Sequence, residues 1–457
     1  MCYNEFMEKN QKLYVLKEMP VHRALIYLSI PSILTSLVNT LHNIIDTMFI
    51  AQLQDNAMIA ATTVALPIAV LSQAVGDGIG VGSGSYVGRL LGARDERKIE
   101  QTVESSITLT FLVSIVALFL SLTILKPAIS LYTDEPDVAY HTYNYLKVLM
   151  TLSFFTISKQ VLANMLRASG DVRFPMYTIV GSIFLNILLN PIFMFDFGFG
   201  LKIQGAAIAT ILAEAIAALL MFYRITRSSC LIRWRFGHFS LTMDSLKEIF
   251  NVGIPVFIRN GLSSMSYGFF AKSAGLFGTE FVAASGIARK GEYFARFVIM
   301  GMAQGYQPFA AYNYGARNKK RLMSSMKMAM GFGVVYGLAM GSFFLFFPHV
   351  FMSFLTSDAN LISLGKYILI GYAFAVPVVA IYQICASNFQ AMGKGKLSFF
   401  SSVLRQGIVY CPLVTILPRL FGVTGMYIVQ PIADWMSAII VVLLSKSILQ
   451  EIRSMEA

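Results

Sequence analysis

The chain repeats itself at one constant offset. Gly92-Ala93-Arg94 returns as Gly315-Ala316-Arg317, and Gly82 returns as Gly305. Ala168 and Gly170 of LRASGD return as Ala391 and Gly393 of FQAMGK, and Thr133 of LYTDEPD returns as Thr356 of FLTSDAN. One matching triplet would be weak evidence, but separate landmarks all sharing the same offset are hard to produce by chance. Whatever unit this sequence folds into, it builds that unit twice.

The repeated unit cannot be a water-soluble globule. Of 457 residues, 56% are hydrophobic and only 13% charged, with 36 Phe and 24 Met, well outside the composition of soluble domains. A hydrocarbon layer about 30 Å thick takes roughly 20 apolar residues per helix. Apolar segments lie at 22–50, 58–88, 99–125, 138–166, 173–197 and 203–225 in the first half of the chain. Six more lie at 246–277, 281–313, 322–350, 361–391, 397–420 and 423–449. The expected fold is an all-α integral membrane protein with twelve transmembrane helices in two pseudo-symmetric six-helix lobes. The first lobe spans 1–225, the second 246–457, and the linker 226–245 falls in the basic stretch RITRSSCLIRWRFGHFS.

A net charge of +12 would suggest nucleic acid in a soluble protein, but here the basic residues sit between apolar segments. Arg89, Arg94, Arg97 and Lys98, then Arg167 and Arg173, then Arg224, Arg227, Arg233 and Arg235 occupy alternate gaps. Arg317, Lys319, Lys320 and Arg321, and then Lys394 and Lys396, continue the pattern. The positive-inside rule makes these gaps and both termini cytoplasmic, with the lipid bilayer as partner and no nucleic acid. Six crossings return the chain to its starting side, so the lobes run in the same sense. Parallel repeats of this kind are a common build of secondary transporters and leave a substrate path between lobes. The N-terminal stretch lacks the apolar run and cleavage site of a signal peptide, so no removal is expected. Cys2, Cys230, Cys385 and Cys411 show no paired or metal-binding spacing, and no metal site is expected.

GSYVGRLLGARDERK and QPFAAYNYGARNKKR after helices 2 and 8, LRASGD closing helix 4, and NILLNPIFMF in helix 5 carry a family resemblance. In order and spacing they resemble the multidrug and toxic compound extrusion (MATE) family, over nearly the whole chain. QGYQPFAAYNYGAR in particular is similar to a bacterial drug-export branch. The resemblance implies an antiporter of the bacterial inner membrane that exports amphipathic, often cationic organic compounds. The coupling ion would be a proton or sodium, with no other cofactor, and one chain holding both lobes would work as a monomer.

Asp46 lies deep in the first apolar segment, LVNTLHNIIDTMFIAQL. A carboxylate there is costly in lipid, so it reads as a coupling residue, against an alternative in which it only bonds a neighbouring amide or hydroxyl. Pro31, earlier on the same helix, removes a backbone hydrogen bond and is a candidate hinge; the resemblance carries the same proline and carboxylate pairing. Asn186 and Asn190 share a helix face. Some family members have Asp at the position of Asn190, so coupling here would rest more on Asp46. Thr210 and Asn39 match polar positions of the family, with interhelical hydrogen bonding as their alternative role. Glu214, one turn after Thr210, is a possible auxiliary acid. Glu292 is another, although pairing with Arg289 and Arg296 on its own helix is the favoured account.

The glycines around Asp77 in AVGDGIGVGSGSYVG read as close helix contacts, because a phosphate loop would need GxxxxGK[ST] after a strand. Family members thought to use sodium carry acids in the second lobe at positions near Ser263 and Val379, neither acidic here, which favours protons. No catalytic motif is present, so an enzyme is not expected. The excess of basic residues in the second lobe leaves one other class open, a flippase for lipid-linked saccharides of a related fold. The echo itself is incomplete where it matters. Pro31 has a counterpart in Pro255, but the step that joins those two prolines takes Asp46 to Phe270.

Overall fold

The computed structural model describes residues 2–227, 230–235 and 237–455, with side chains from position 10 onward except at 43 and 44. The first half of the chain forms α1 (Cys2–Lys17), α2 (Val21–Ala51), α3 (Asn56–Ala93), α4 (Glu96–Thr123), α5 (Leu125–Ser130), α6 (Pro136–Thr151), α7 (Ser153–Ala168), α8 (Arg173–Met194) and α9 (Lys202–Thr226). The second half forms α10 (Met243–Gly275), α11 (Thr279–Gly315), α12 (Lys319–Phe346), α13 (Pro348–Leu355), α14 (Ala359–Ala391) and α15 (Gly395–Val403). A π-helical stretch, Leu404–Tyr410, joins α15 to α16 (Cys411–Phe421), and α17 (Val423–Ser454) follows.

Among the described residues, nine helices are long and apolar enough to cross a bilayer, and α6 with α7 make a tenth span bent by 50°. The α10 and α11 helices complete twelve. They are more polar because they carry Arg259 and Lys272, and Arg289, Lys290, Glu292 and Arg296. Two expected spans are not regular helices. The segment expected at 138–166 breaks at Leu152, with neither proline nor glycine at the break. The segment expected at 397–420 contains the π-helical stretch, where the wider turn frees a carbonyl from the regular ladder. Gln406 O accepts there from Ser266 Oγ at 3.1 Å and from Cys411 Sγ at 3.0 Å.

The sequence echo is also an echo of backbone conformation. Arg94 and Arg317 both take left-handed geometry, with φ of 59° and 53°. Asp95 then caps α4 by accepting from Lys98 N at 3.1 Å, and Asn318 caps α12 by accepting from Arg321 N at 3.1 Å. Gly170 and Gly393 both have positive φ, 80° and 70°, which only glycine adopts freely.

The described chain packs as two compact units. One holds the residues through Glu18 together with Val38–Gly253, and the other holds Met19–Leu37 together with the residues from Ile254 onward. Each repeat's first long helix is therefore divided, α2 after Leu37 and α10 after Gly253. The repeated glycines explain how. Within the first unit a Cβ on Gly82 would lie 2.3 Å from the Ile249 carbonyl oxygen, so the opening turns of α10 press directly on the backbone of α3. Within the second unit a Cβ on Gly305 would lie 2.5 Å from Ser29 Cα, so the opening half of α2 presses on α11 in the same way. Gly82→Val is expected to destabilise the first unit by about 1–3 kcal/mol, because the obstacle is main chain that cannot rotate aside. Gly286→Ala in α11 meets nothing within 4 Å and should be neutral or stabilising. Thermal unfolding of the two purified variants in detergent checks the contrast.

The linker is packed rather than loose. Trp234 is buried between Phe222 and Phe239 and donates from Nε1 to His238 O at 2.9 Å, while Ser240 Oγ donates to Glu104 Oε2 at 2.7 Å. Residues 228, 229 and 236 of the expected linker lie outside the described residues. Cys230, Cys385 and Cys411 are free thiols, and burial pushes Cys230 up to about 11. The side chain of Cys2 lies outside the described residues.

Candidate functional site

The first unit gathers polar groups from three helices around one carboxylate. His42 and Asp46 stand one turn apart on α2, which places both on the same face. His42 Nε2 lies 3.2 Å from Asp46 Oδ2. From α8, the Asn190 side-chain amide donates to Asp46 Oδ1 at 2.8 Å. Asn186, one turn earlier on α8, lies 3.1 Å from Asp46 Oδ1 and 3.1 Å from Thr210 Oγ1 on α9. Its NH2 can point to the carboxylate with its oxygen on the hydroxyl, or its oxygen can accept from Asn190 Nδ2 at 3.0 Å with its NH2 on the hydroxyl. The carboxylate thus takes a hydrogen bond from Asn190 and has a second amide and a histidine at hydrogen-bond distance. Two acceptors buried beside it, Asn190 Oδ1 and His42 Nδ1, find no donor among the described residues.

Three other membrane-embedded acids are neutralised. Glu214 accepts from the Thr156 hydroxyl and pairs with Lys159 Nζ at 2.5 Å, both from α7. Asp434 on α17, with a side chain 1% exposed, is held by Arg405 Nε at 2.6 Å and Arg296 Nη2 at 2.9 Å, and accepts from Gln430 Nε2 at 2.9 Å. Glu292 pairs with Arg296 at 2.9 Å along α11. Arg289, also considered a partner of Glu292, instead rests over the rings of Tyr267 and Phe270, 4.6 Å and 4.2 Å from their centroids. Phe270 is the counterpart of Asp46 in the second repeat, so an aromatic face under a guanidinium stands where the first repeat has its acid. Asp77 on α3 accepts from Gln160 Nε2 at 2.9 Å, with Arg167 of α7 acting on it through space.

Asp46, Asn186, Asn190 and Thr210 therefore come together. Asn39 does not join them: it is exposed on α2 and makes none of the cluster's hydrogen bonds. Pro31 lies within α2, where its carbonyl accepts from Thr35 Oγ1 at 2.8 Å, and belongs to the compact unit that lacks Asp46. Sequence reasoning missed two residues. His42 was signalled by its four-residue spacing from Asp46 in HNIID. Lys159 had no such signal, since its partner Glu214 lies on another helix, far along the chain.

Helices of this length and number, duplicated along the chain and with a polar cluster inside the first unit, fit a multi-pass membrane transporter. The MatE family model matches residues 31–192 and again 255–416, so the two matches begin on the paired prolines Pro31 and Pro255. The chain belongs to the MatE family, whose members are multidrug-efflux transporters rather than enzymes. It is 29% identical to the multidrug export protein MepA of Staphylococcus aureus over 440 residues, covering 95% of this chain and 96% of that protein. With MepA of Staphylococcus haemolyticus it shares 27% over 421 residues, 91% of each. Its fold matches that of a MOP superfamily transporter from Pyrococcus furiosus with a TM-score of 0.90 at 22% identity, covering 96% of this chain and 98% of the other. An outward-facing multidrug resistance MATE family transporter matches with a TM-score of 0.89 at 23% identity, with the same coverage.

Proposed function

We propose that this chain is a proton-coupled antiporter that exports amphipathic, often cationic organic compounds across a bacterial inner membrane by alternating access. It works as a monomer with both termini in the cytoplasm. The observation that carries the reading is the company Asp46 keeps. Glu214, Glu292 and Asp434 each have a lysine or arginine partner. Asp46 has amides and a histidine, so its charge is free to be cancelled and restored by a proton. Pro31 and Asp46 lie on one helix but in different compact units, so the segment between them is where a change at the acid would be transmitted. Export of multidrug substrates is the function named for the Staphylococcus relatives. The lipid-linked saccharide alternative draws no support from Arg296 and Arg405 of the second repeat, because both are committed to Asp434.

Reconstituted vesicles test the coupling ion. Efflux of a fluorescent lipophilic cation is expected under an imposed pH gradient alone, and not under a sodium gradient alone. The reverse result would refute proton coupling.

A further inference from the structure

We propose that the coupling proton is shared between His42 and Asp46, so that the pair, and not the carboxylate alone, is the protonation site. This rests on the proton-coupled reading above and assigns that site a second titrating residue. His42 Nε2 and Asp46 Oδ2 are 3.2 Å apart on one helix face. A neutral imidazole donates from one nitrogen and accepts at the other. With Nε2–H given to Asp46, the acceptor is Nδ1, which is buried and has neither donor nor acceptor within reach among the described residues, so an added proton is held on the Nε2–Oδ2 side of the pair.

The unloaded pair therefore carries one negative charge and one unfilled proton position. Adding one proton gives a pair with no net charge, whether that proton is drawn as imidazolium beside carboxylate or as imidazole beside carboxylic acid. Both drawings place it within one hydrogen-bonded unit, and such a unit titrates as a whole. Histidine is the side chain whose ordinary titration falls between about pH 5 and 8, whereas a free carboxyl titrates near 4. An antiporter that must load and unload near neutral pH gains from the pairing.

The surrounding charges leave this balance to the pair. Asn190 from α8 reaches Asp46 as a neutral donor. Lys159 of α7 and Glu214 of α9 act on His42 through space, but they neutralise each other at 2.5 Å. Tyr145 of α6 faces both Asp46 and Glu214. The second repeat has no equivalent: the step from Pro31 to Pro255 takes His42 to Ser266 and Asp46 to Phe270. The pair is only partly enclosed, with side chains 17% and 28% exposed, so a proton can reach it.

The test compares wild type, His42→Gln and His42→Leu in vesicles, measuring efflux of a fluorescent monovalent cation against internal pH at a fixed pH difference. Glutamine can still donate a hydrogen bond to Asp46 but cannot titrate, and leucine can do neither. Proton sharing predicts that His42→Gln, which keeps the donor and removes the second basic nitrogen, moves the midpoint of the profile to lower pH by about half a unit or more, whereas His42→Leu, which also strips a donor from the carboxylate, does not follow it down. If His42 only positions Asp46, glutamine will match wild type in rate and midpoint and leucine alone will lose rate, which overturns the inference. An unmoved midpoint in both variants overturns it as well. Absence of any proton-driven efflux in wild type would instead sink the underlying antiport reading, so the two failures are told apart.

Discussion

Vesicles carrying Asp46→Asn are expected to lose proton-driven efflux down to the leak rate of vesicles without transporter. The side chain keeps its shape, and its oxygen can still accept from Asn190, which now donates to Asp46 Oδ1 at 2.8 Å. His42 can meet the new amide through its other tautomer, because its Nδ1 has no donor to lose among the described residues. Folding stability should therefore stay within about 1 kcal/mol of wild type, the net worth of one exchanged hydrogen bond. What disappears is the charge that a proton cancels. Binding of a fluorescent cation to purified protein should persist while its pH dependence weakens to what His42 alone can carry. Wild-type efflux by this variant under a pH gradient would remove Asp46 from the mechanism.

The opposite profile is expected for Asp434→Ala. That carboxylate is buried between Arg296 and Arg405, so its removal leaves Arg405 without its counter-charge and Arg296 with Glu292 alone. Breaking a buried pair in this way costs about 3–5 kcal/mol, enough to lower the unfolding temperature of the detergent-solubilised protein markedly and to cut the yield of folded material. Replacing the acid and both arginines together with apolar residues of similar volume should recover much of the loss, because the penalty comes from unpaired charge and not from missing packing. Where Asp434→Asn folds, its pH profile for transport should match wild type. A shifted profile would mean that the second unit also takes part in coupling. Measured side by side, the two aspartates separate a charge that works from a charge that holds the fold.

Much of the scaffold was legible in the chain because membrane insertion reads local properties. A helix must satisfy its own backbone in lipid, so apolar length alone marks most spans. The breaks were not legible. Nothing at Leu152 announces a 50° bend, and the π-helical stretch at Leu404–Tyr410 depends on partners, Ser266 among them, that lie on another helix. The same distinction runs through the site. Asp46, Asn186, Asn190 and Thr210 could be nominated because polar groups in apolar helices are conspicuous, but so could Asn39, which lies on the exposed side of α2.

By itself the sequence determined that the protein is built twice from membrane-crossing helices, and that only the first copy has an acid at position 46. Repetition and composition are carried by the order of residues, and no folding is needed to see them. Tertiary structure alone decided what each charge does. Lys159 meets Glu214, and Arg296 and Arg405 meet Asp434, from helical stretches distant in the chain. Whether an acid meets a lysine, two arginines or a pair of amides depends on how helices pack. The echo between the two halves thus acquires a physical meaning in Gly82 and Gly305, where each repeat admits the opening turns of the other's first helix. Its one consequential gap, Asp46 against Phe270, acquires a meaning from the groups that close around each position.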